Sequence, residues 1–237
     1  MKKNIFNIIL TIALCFMSVF PVSAVRSSEE SDGADFLEQL TFFGESTTTH
    51  LRQRSCIDND RVWANASGTA KLDSNLANRP LFDLKSNHYM TPIELAQRDQ
   101  PDFLVLSFGL NGIMDFSEHP DDYLKKYQKL IDALSEASPN THFLIQSIYP
   151  VACNEFHTDW RFSTSPAEIN KKIHVLNQHL ENHAKKLSNA DFIDTSCNLK
   201  DENGFLRSEY TTDGIHLTKD AYTTILERLQ LYGIQGY

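Results

Sequence analysis

Several signatures of common enzyme classes are missing from this chain of 237 residues. It has no Gly-x-Ser-x-Gly elbow, no glycine-rich phosphate loop and no dinucleotide fingerprint, which argues against an ordinary α/β-hydrolase lipase, a nucleotide-dependent enzyme and a dehydrogenase. Cysteine is scarce, with four residues at positions 15, 56, 153 and 197 whose count and spacing make neither a disulfide scaffold nor a metal site. Basic residues are outnumbered, 22 against 31 acidic, for a net charge of −9. Such a surface repels polyanions, so nucleic acid and anionic lipid headgroups are poor candidates as partners.

Long hydrophobic runs are also missing, except at the amino terminus. There Lys2 and Lys3 precede an uncharged, mostly apolar stretch from Ile5 to Phe20, and Val22-Ser23-Ala24 offers small residues of the kind cut by signal peptidase. The stretch is shorter than the roughly 20 residues a spanning helix needs. Residues 1–24 are therefore expected to be a signal peptide cleaved after Ala24, giving a protein that is secreted or held at the cell envelope, with no stable membrane insertion. A lipoprotein anchor at Cys15 fits less well, because Leu14 stands where a small residue would be needed. Cleavage would remove two lysines and no acid, leaving 20 basic and 31 acidic residues, or −11. Three cysteines would remain, allowing at most one internal disulfide, and the sequence does not choose the pair.

Residues 25–35, rich in Ser, Glu and Asp, form an expected flexible lead-in with little apolar content to pack. A single domain is expected over 36–237. Within it, apolar runs near Leu40–Phe43, Arg61–Ala64, Phe103–Phe108, His142–Ile148 and Ala190–Asp194 are apolar at consecutive rather than alternate positions. That pattern predicts strands covered on both faces, and hence a mainly parallel five-stranded sheet. Helix starts lie between them. Thr91-Pro92-Ile93-Glu94 and Ser165-Pro166-Ala167-Glu168 each place a hydroxyl at the N-cap, proline at the first helical position and glutamate at the third. Tyr123, Tyr127, Leu130, Ile131 and Leu134 recur at helical spacing over Pro120–Ala137, and a last helix is predicted over Lys219–Leu231 behind Thr218. Strand and helix alternating in this way predict a three-layer α/β/α sandwich.

In such folds reactive groups gather in loops at the carboxyl ends of the strands. Four loops stand out: Gly44-Glu45-Ser46, Asn65-Ala66-Ser67-Gly68, Gly109-Leu110-Asn111-Gly112 and Asp213-Gly214-Ile215-His216. Three of them have an ordinary structural explanation. Ser46 would cap a helix, Asn111 between glycines would serve a turn, and Asp213-Gly214 is a common turn pair. Their combination and order resemble the SGNH-hydrolase family, the GDSL-type esterases and lipases. Gly44-Glu45-Ser46 matches its Gly-Asp-Ser motif and Gly68 its glycine after the second strand; Gly109-Leu110-Asn111 matches Gly-x-Asn, and Asp213 with His216 matches the final Asp-x-x-His. The resemblance runs from about Leu37 to Leu231 and implies a flavodoxin-like SGNH-hydrolase fold. Two positions depart from the pattern: Glu45 replaces Asp, and Gly112 stands where many members carry Asp. The first is expected to alter how the nucleophile loop is anchored, and the second to remove a polar contact supporting the Asn loop.

The chemistry implied is acyl transfer without a cofactor. Ser46 would attack an ester carbonyl, His216 would take its proton, and Asp213 would hold the other imidazole nitrogen. The oxyanion would sit among the Ser46 and Gly68 backbone N–H groups and the Asn111 side-chain amide. The expected substrate is a small-molecule or carbohydrate acyl ester, including acetyl esters. Tyr149, Phe156 and Trp160, which follow the fourth strand, are candidates to face it. Two rivals share the motifs: a carbohydrate-binding module without turnover, and an acyltransferase using the same serine. His179 and His183 stand one helical turn apart, but lack an evident third ligand, so no metal site is expected.

Overall fold

The computed structural model describes residues 33–65, 67–68, 70–153 and 162–236. The expected signal peptide and most of the lead-in lie outside these residues. The described chain begins with a short helix, α1 (residues 33–38), so the folded domain reaches back into the last part of the lead-in. Apolar contact explains this. Phe36 is buried, with its ring 5.0 Å from Phe103 and 5.9 Å from Tyr232.

All five predicted strands form: β1 (Leu40–Gly44), β2 (Val62–Ala64), β5 (Phe103–Ser107), β6 (His142–Gln146) and β7 (Ala190–Ile193). They pair in the order β2-β1-β5-β6-β7, and every pairing is parallel. β1 and β5 are buried at every position, as their unbroken apolar runs require. Alternate residues serve opposite faces. On one face Phe43, Leu104, Leu106, Phe143 and Ile145 pack with residues of α3 (Pro92–Asp99), α4 (Ile113–Glu118), α5 (Pro120–Ala137) and α6 (Pro166–Ala184). On the other, Leu40, Phe42, Val105 and Leu144 meet α2 (Ser46–Arg54) and α7 (Lys219–Gln235) through Leu51, Tyr222, Ile225 and Leu226. The result is a three-layer α/β/α sandwich.

The helix starts follow the sequence with one difference. At Thr91 the reciprocal capping box is complete, with hydroxyl accepting the Glu94 N–H (3.2 Å) and Glu94 Oε2 accepting the Thr91 N–H (2.7 Å). At Ser165 only the forward bond forms, from Glu168 N–H at 3.3 Å. Between β2 and α3 a small antiparallel hairpin, β3 (Leu81–Asp83) and β4 (His88–Met90), stands outside the main sheet. The sequence reading missed it. Its anchor is remote in sequence: the Arg98 guanidinium on α3 grips the nearly buried Asp83 carboxylate, so no local pattern announces it.

The chain reverses direction of travel between β1 and β5, since β2 lies on one side of β1 and β5 on the other. A crevice opens at such a switch point, outside the carboxyl ends of those two strands. Gly44-Glu45-Ser46 leaves β1 there and Gly109-Leu110-Asn111 leaves β5. Beyond β6 the chain is strapped in place. Two asparagines seven residues apart on α6 act as peptide mimics: Asn177 exchanges two hydrogen bonds with Ile148 (2.8 and 3.0 Å) and Asn170 two with Val151 (both 2.8 Å). The Ala152 N–H then donates to the Gly214 carbonyl (2.9 Å), tying this segment to the Asp213–His216 loop.

Candidate active site

Ser46 is the first residue of α2, with Glu45 as N-cap. Its backbone N–H is one of those that a helix start leaves without an intrahelical acceptor. The Asn65–Gly68 turn is pressed against it. Thr49, one turn into α2, donates its hydroxyl to the Asn65 carbonyl (2.9 Å), and Asn65 Oδ1 accepts the Ser67 N–H (2.8 Å). Gly68 adopts φ +65°, and a Cβ there would lie 3.0 Å from Ser46 Cβ. Glycine is required at this point both for the turn and for the close approach.

His216 and Asp213 come from one loop. Asp213 Oδ2 meets His216 Nδ1 at 2.5 Å, while Oδ1 accepts the backbone N–H groups of Ile215 (3.0 Å) and His216 (2.7 Å). Thr211 braces the turn, donating its hydroxyl to the His216 carbonyl and accepting the Gly214 N–H, both at 2.9 Å. Partial burial pushes the Asp213 carboxyl up, but the hydrogen bonds from His216 and Ile215 outweigh it and hold the group down to about 2. α2 reaches this loop too, because Arg54 donates to the Leu217 carbonyl and Tyr222 of α7 donates to the Thr47 carbonyl (2.7 Å).

Ser46, Gly68, Asn111 and His216 line one cleft of about 570 Å³, with Thr49, His50, Gln53, Ser67, Lys71, Leu110, Phe162 and Ile215. Among the described residues no hydrogen bond joins Ser46 Oγ to the His216 ring. Two of the expected oxyanion donors are engaged within the protein. The Gly68 N–H closes its turn on the Asn65 carbonyl (3.1 Å), and Asn111 Nδ2 donates to the carbonyls of Ala70 (2.7 Å) and Gly68 (3.3 Å). A larger groove of about 770 Å³ runs along α6 and β7 and contains none of the motif residues.

The candidate substrate contacts fare differently. Tyr149 is buried, not cleft-lining: it packs in the core on the α7 side, where its hydroxyl bonds with Thr195, Gln146 and Ser107 and burial pushes it up to about 12. A large aromatic body with a satisfied polar tip gains more from that burial than from solvent. Phe156 and Trp160 lie outside the described residues. Cys56, Cys153 and Cys197 are free thiols. Among the described residues no three His, Cys, Asp or Glu side chains gather as a metal site, His179 and His183 included.

His50 was missed by the sequence reading. It sits four residues after Ser46, one turn along α2, and its ring packs edge-on against His216 with centroids 4.6 Å apart. Desolvation, reinforced by the charges of His216 and Arg54, pushes it down to about 4. The i, i+4 spacing from the serine was the available signal.

Both departures from the motif pattern acquire a physical account. Gly112 makes room for an aromatic ring, since a Cβ would lie 2.3 Å from Phe116. Glu45 turns its carboxylate inward and accepts the Leu110 N–H at 2.8 Å and the Asn111 N–H at 3.3 Å.

A three-layer α/β/α sandwich around a parallel five-stranded sheet, with this cleft at its switch point, is a flavodoxin-like architecture. Residues 42–223 match the GDSL-like Lipase/Acylhydrolase family, and the chain belongs to it. No curated protein matches the chain in sequence. Among solved structures it is similar to a candidate platelet activating factor from Streptococcus pneumonia, at 21% identity and TM-score 0.61, covering 89% of this chain and 95% of that one. It is also similar to a carbohydrate esterase family 3 protein from Talaromyces cellulolyticus, at 12% identity and TM-score 0.55, covering 83% and 96%. A GDSL-like lipase from Bacteroides thetaiotaomicron gives 16% identity and TM-score 0.53, covering 92% and 98%. At these identities the likeness speaks for the fold.

Proposed function

We propose that this acylhydrolase-family protein is an exported serine ester hydrolase that works through an acyl-enzyme on Ser46. The observation that carries the reading is the Asp213–His216 pair at 2.5 Å, opening on the same cleft as Ser46. In the reaction His216 takes the Ser46 hydroxyl proton as Oγ attacks the ester carbonyl, and Asp213 steadies the imidazolium. His216 then protonates the leaving alcohol, and a water activated by the same imidazole releases the acid. Catalytic hydrogen bonds are commonly long in an empty site and tighten around substrate, which accommodates the open Ser46–His216 geometry. The oxyanion is received by the Ser46 N–H, with the Gly68 N–H and Asn111 amide turning from their internal acceptors.

The cleft favours a polar alcohol portion. Among the described residues its lining sets the hydrogen-bonding groups of Thr49, His50, Gln53, Ser67, Lys71 and Asn111 beside three apolar side chains, Leu110, Phe162 and Ile215, a short wall for a long acyl chain. A short acyl ester on a carbohydrate fits this lining, and the carbohydrate esterase among the structural relatives is in keeping with it. The amino-terminal segment supports export.

The test is hydrolysis of chromogenic esters from acetyl to long-chain acyl by the wild type and Ser46→Ala in parallel. Short-chain turnover that vanishes in the variant is expected. Turnover surviving in Ser46→Ala would remove the serine mechanism, and a preference for long chains would remove the substrate reading. Asn111→Ala should lose on the order of 10²–10³ in kcat, the usual cost of one oxyanion donor.

A further inference from the structure

Glu45 stands between the two loops that meet over the cleft. Along the chain it immediately precedes Ser46, and its own carbonyl accepts the Thr49 N–H (3.1 Å), closing the first turn of α2. Its side chain points the other way, into protein. The residue is only 4% exposed. Oε1 accepts the Leu110 N–H at 2.8 Å, and the Asn111 N–H lies 3.3 Å from both carboxyl oxygens. One residue thus holds the end of β1 and the loop after β5 across the switch point.

Glu45 has few other polar neighbours. Among the described residues Glu45 has no cationic partner. Its titratable neighbours are Tyr123 and Tyr127, whose hydroxyls donate elsewhere, to the carbonyls of Phe108 (2.8 Å) and Leu106 (3.3 Å). Burial pushes the carboxyl up to about 7, and the N–H groups of Asn111, Leu110 and Gly109 keep it from going higher. On its far side the Asn111 loop rests on an apolar surface, the Phe116 ring fitted against Gly112. The Glu45 carboxyl therefore anchors the loop's backbone N–H groups, while the Asn111 side chain rests on the Ala70 and Gly68 carbonyls.

We propose that Glu45 is a positioning residue: it locks the Asn111 loop to the strand end carrying Ser46, so that nucleophile and oxyanion donor keep a fixed spacing during acyl transfer. This rests on the reading of Asn111 as an oxyanion donor. Because the Asn111 backbone N–H is taken by Glu45, it is the side-chain amide that must leave the Ala70 and Gly68 carbonyls and turn toward the substrate. A fixed backbone limits that turn to one side-chain rotation. Loosening a donor by about an ångström costs up to 10²-fold in rate, so the anchor acts on kcat and leaves ground-state binding nearly alone.

The experiment combines kinetics with amide exchange on the full folded protein. Glu45→Gln keeps the shape but replaces one of the two accepting oxygens by a donating amide, so the Leu110 and Asn111 N–H groups are left to share a single acceptor. It is expected to lower kcat on the order of ten- to a hundredfold with KM nearly unchanged. The double variant Glu45→Gln/Asn111→Ala is expected to be no slower than Asn111→Ala alone, since Glu45 acts through Asn111. Losses that multiply in the double variant would overturn the proposal. Hydrogen exchange gives a second readout that needs no turnover: the Leu110 and Asn111 amides should exchange faster in Glu45→Gln while the β5 amides stay protected. Unchanged exchange at those two amides would also overturn it. If the wild type turns over no ester, the hydrolase reading and the catalytic half of this proposal fall together, and exchange still decides whether Glu45 anchors the loop.

Discussion

At Glu45 an acid is buried where its charged form is disfavoured, and this has a consequence for stability as well as for the site. Burial pushes its carboxyl up to about 7 from an ordinary value of 4.5. The folded state therefore holds a proton that the unfolded chain has released over that window, and stability from this group is full below about 4.5 and lost as pH rises toward 7. The span corresponds to about 3 kcal/mol at most. Chemical denaturation of wild type and Glu45→Gln at pH 4.5 and 8 should show the wild type losing more stability than the variant on going to the higher pH. Equal losses would mean that Glu45 titrates normally. Asp213 has the opposite sign. Held down to about 2, it contributes stability above the ordinary carboxylate range that disappears only as pH falls toward 2. Its side chain is nearly half exposed, so solvent screening keeps that contribution small.

The same scale shows what a one-letter reading conceals. Gly68 and Ser46 were brought together by the resemblance, which implies that both backbone N–H groups face one oxyanion, and the structure places a hypothetical Cβ on Gly68 3.0 Å from Ser46 Cβ. That the Gly68 N–H and the Asn111 amide are already bonded to carbonyls was not legible, because it depends on where Asn65 and Ala70 fall in space. Tyr149 misled for a related reason: an aromatic just beyond a strand end suits a cleft wall or a core equally, and burial decided for the core.

Among the elements, those whose signals are local were read correctly. The five strands declare themselves through unbroken apolar runs, and four helices through an N-cap residue or helical periodicity. The two proline-led starts differ in strength, and a pair of variants measures the difference. Thr91→Ala breaks a reciprocal box and should cost about 1 kcal/mol or more. Ser165→Ala removes a single 3.3 Å bond and should cost less, which thermal unfolding of both variants would check. A larger loss at Ser165 would contradict the reading of the two caps. The elements that were missed depend on remote partners. Strands of three residues such as Leu81–Asp83 carry too few positions to show a period, and the Arg98 grip on Asp83 spans the hairpin and a helix. α1 was hidden by its composition: residues 33–35 are Gly-Ala-Asp, and contacts remote in sequence, Phe36 on Phe103 and Tyr232 and Gly33 close to Ile234, hold them to the domain.

For the molecule as a whole, the topology itself locates the site. The strand order β2-β1-β5-β6-β7 places the switch between β1 and β5, and the two loops leaving those strands carry Ser46 and Asn111. The remaining parts are delivered from afar by long-range ties: Arg54 to Leu217, Tyr222 to Thr47 and Ala152 to Gly214. Membership of the GDSL-like Lipase/Acylhydrolase family agrees with this layout over residues 42–223. The sequence motifs sufficed to nominate the four loops, because their order along the chain is the order in which the fold presents them. The central claim, that Ser46 is the nucleophile of this cleft, is tested most directly by treating the folded protein with a fluorophosphonate ester and measuring its mass. The account predicts a single adduct, formed with loss of fluoride and mapping to Ser46, that is absent from Ser46→Ala and strongly slowed in His216→Ala. An unlabelled Ser46 in a protein that still hydrolyses esters, or an adduct at another residue, would contradict it.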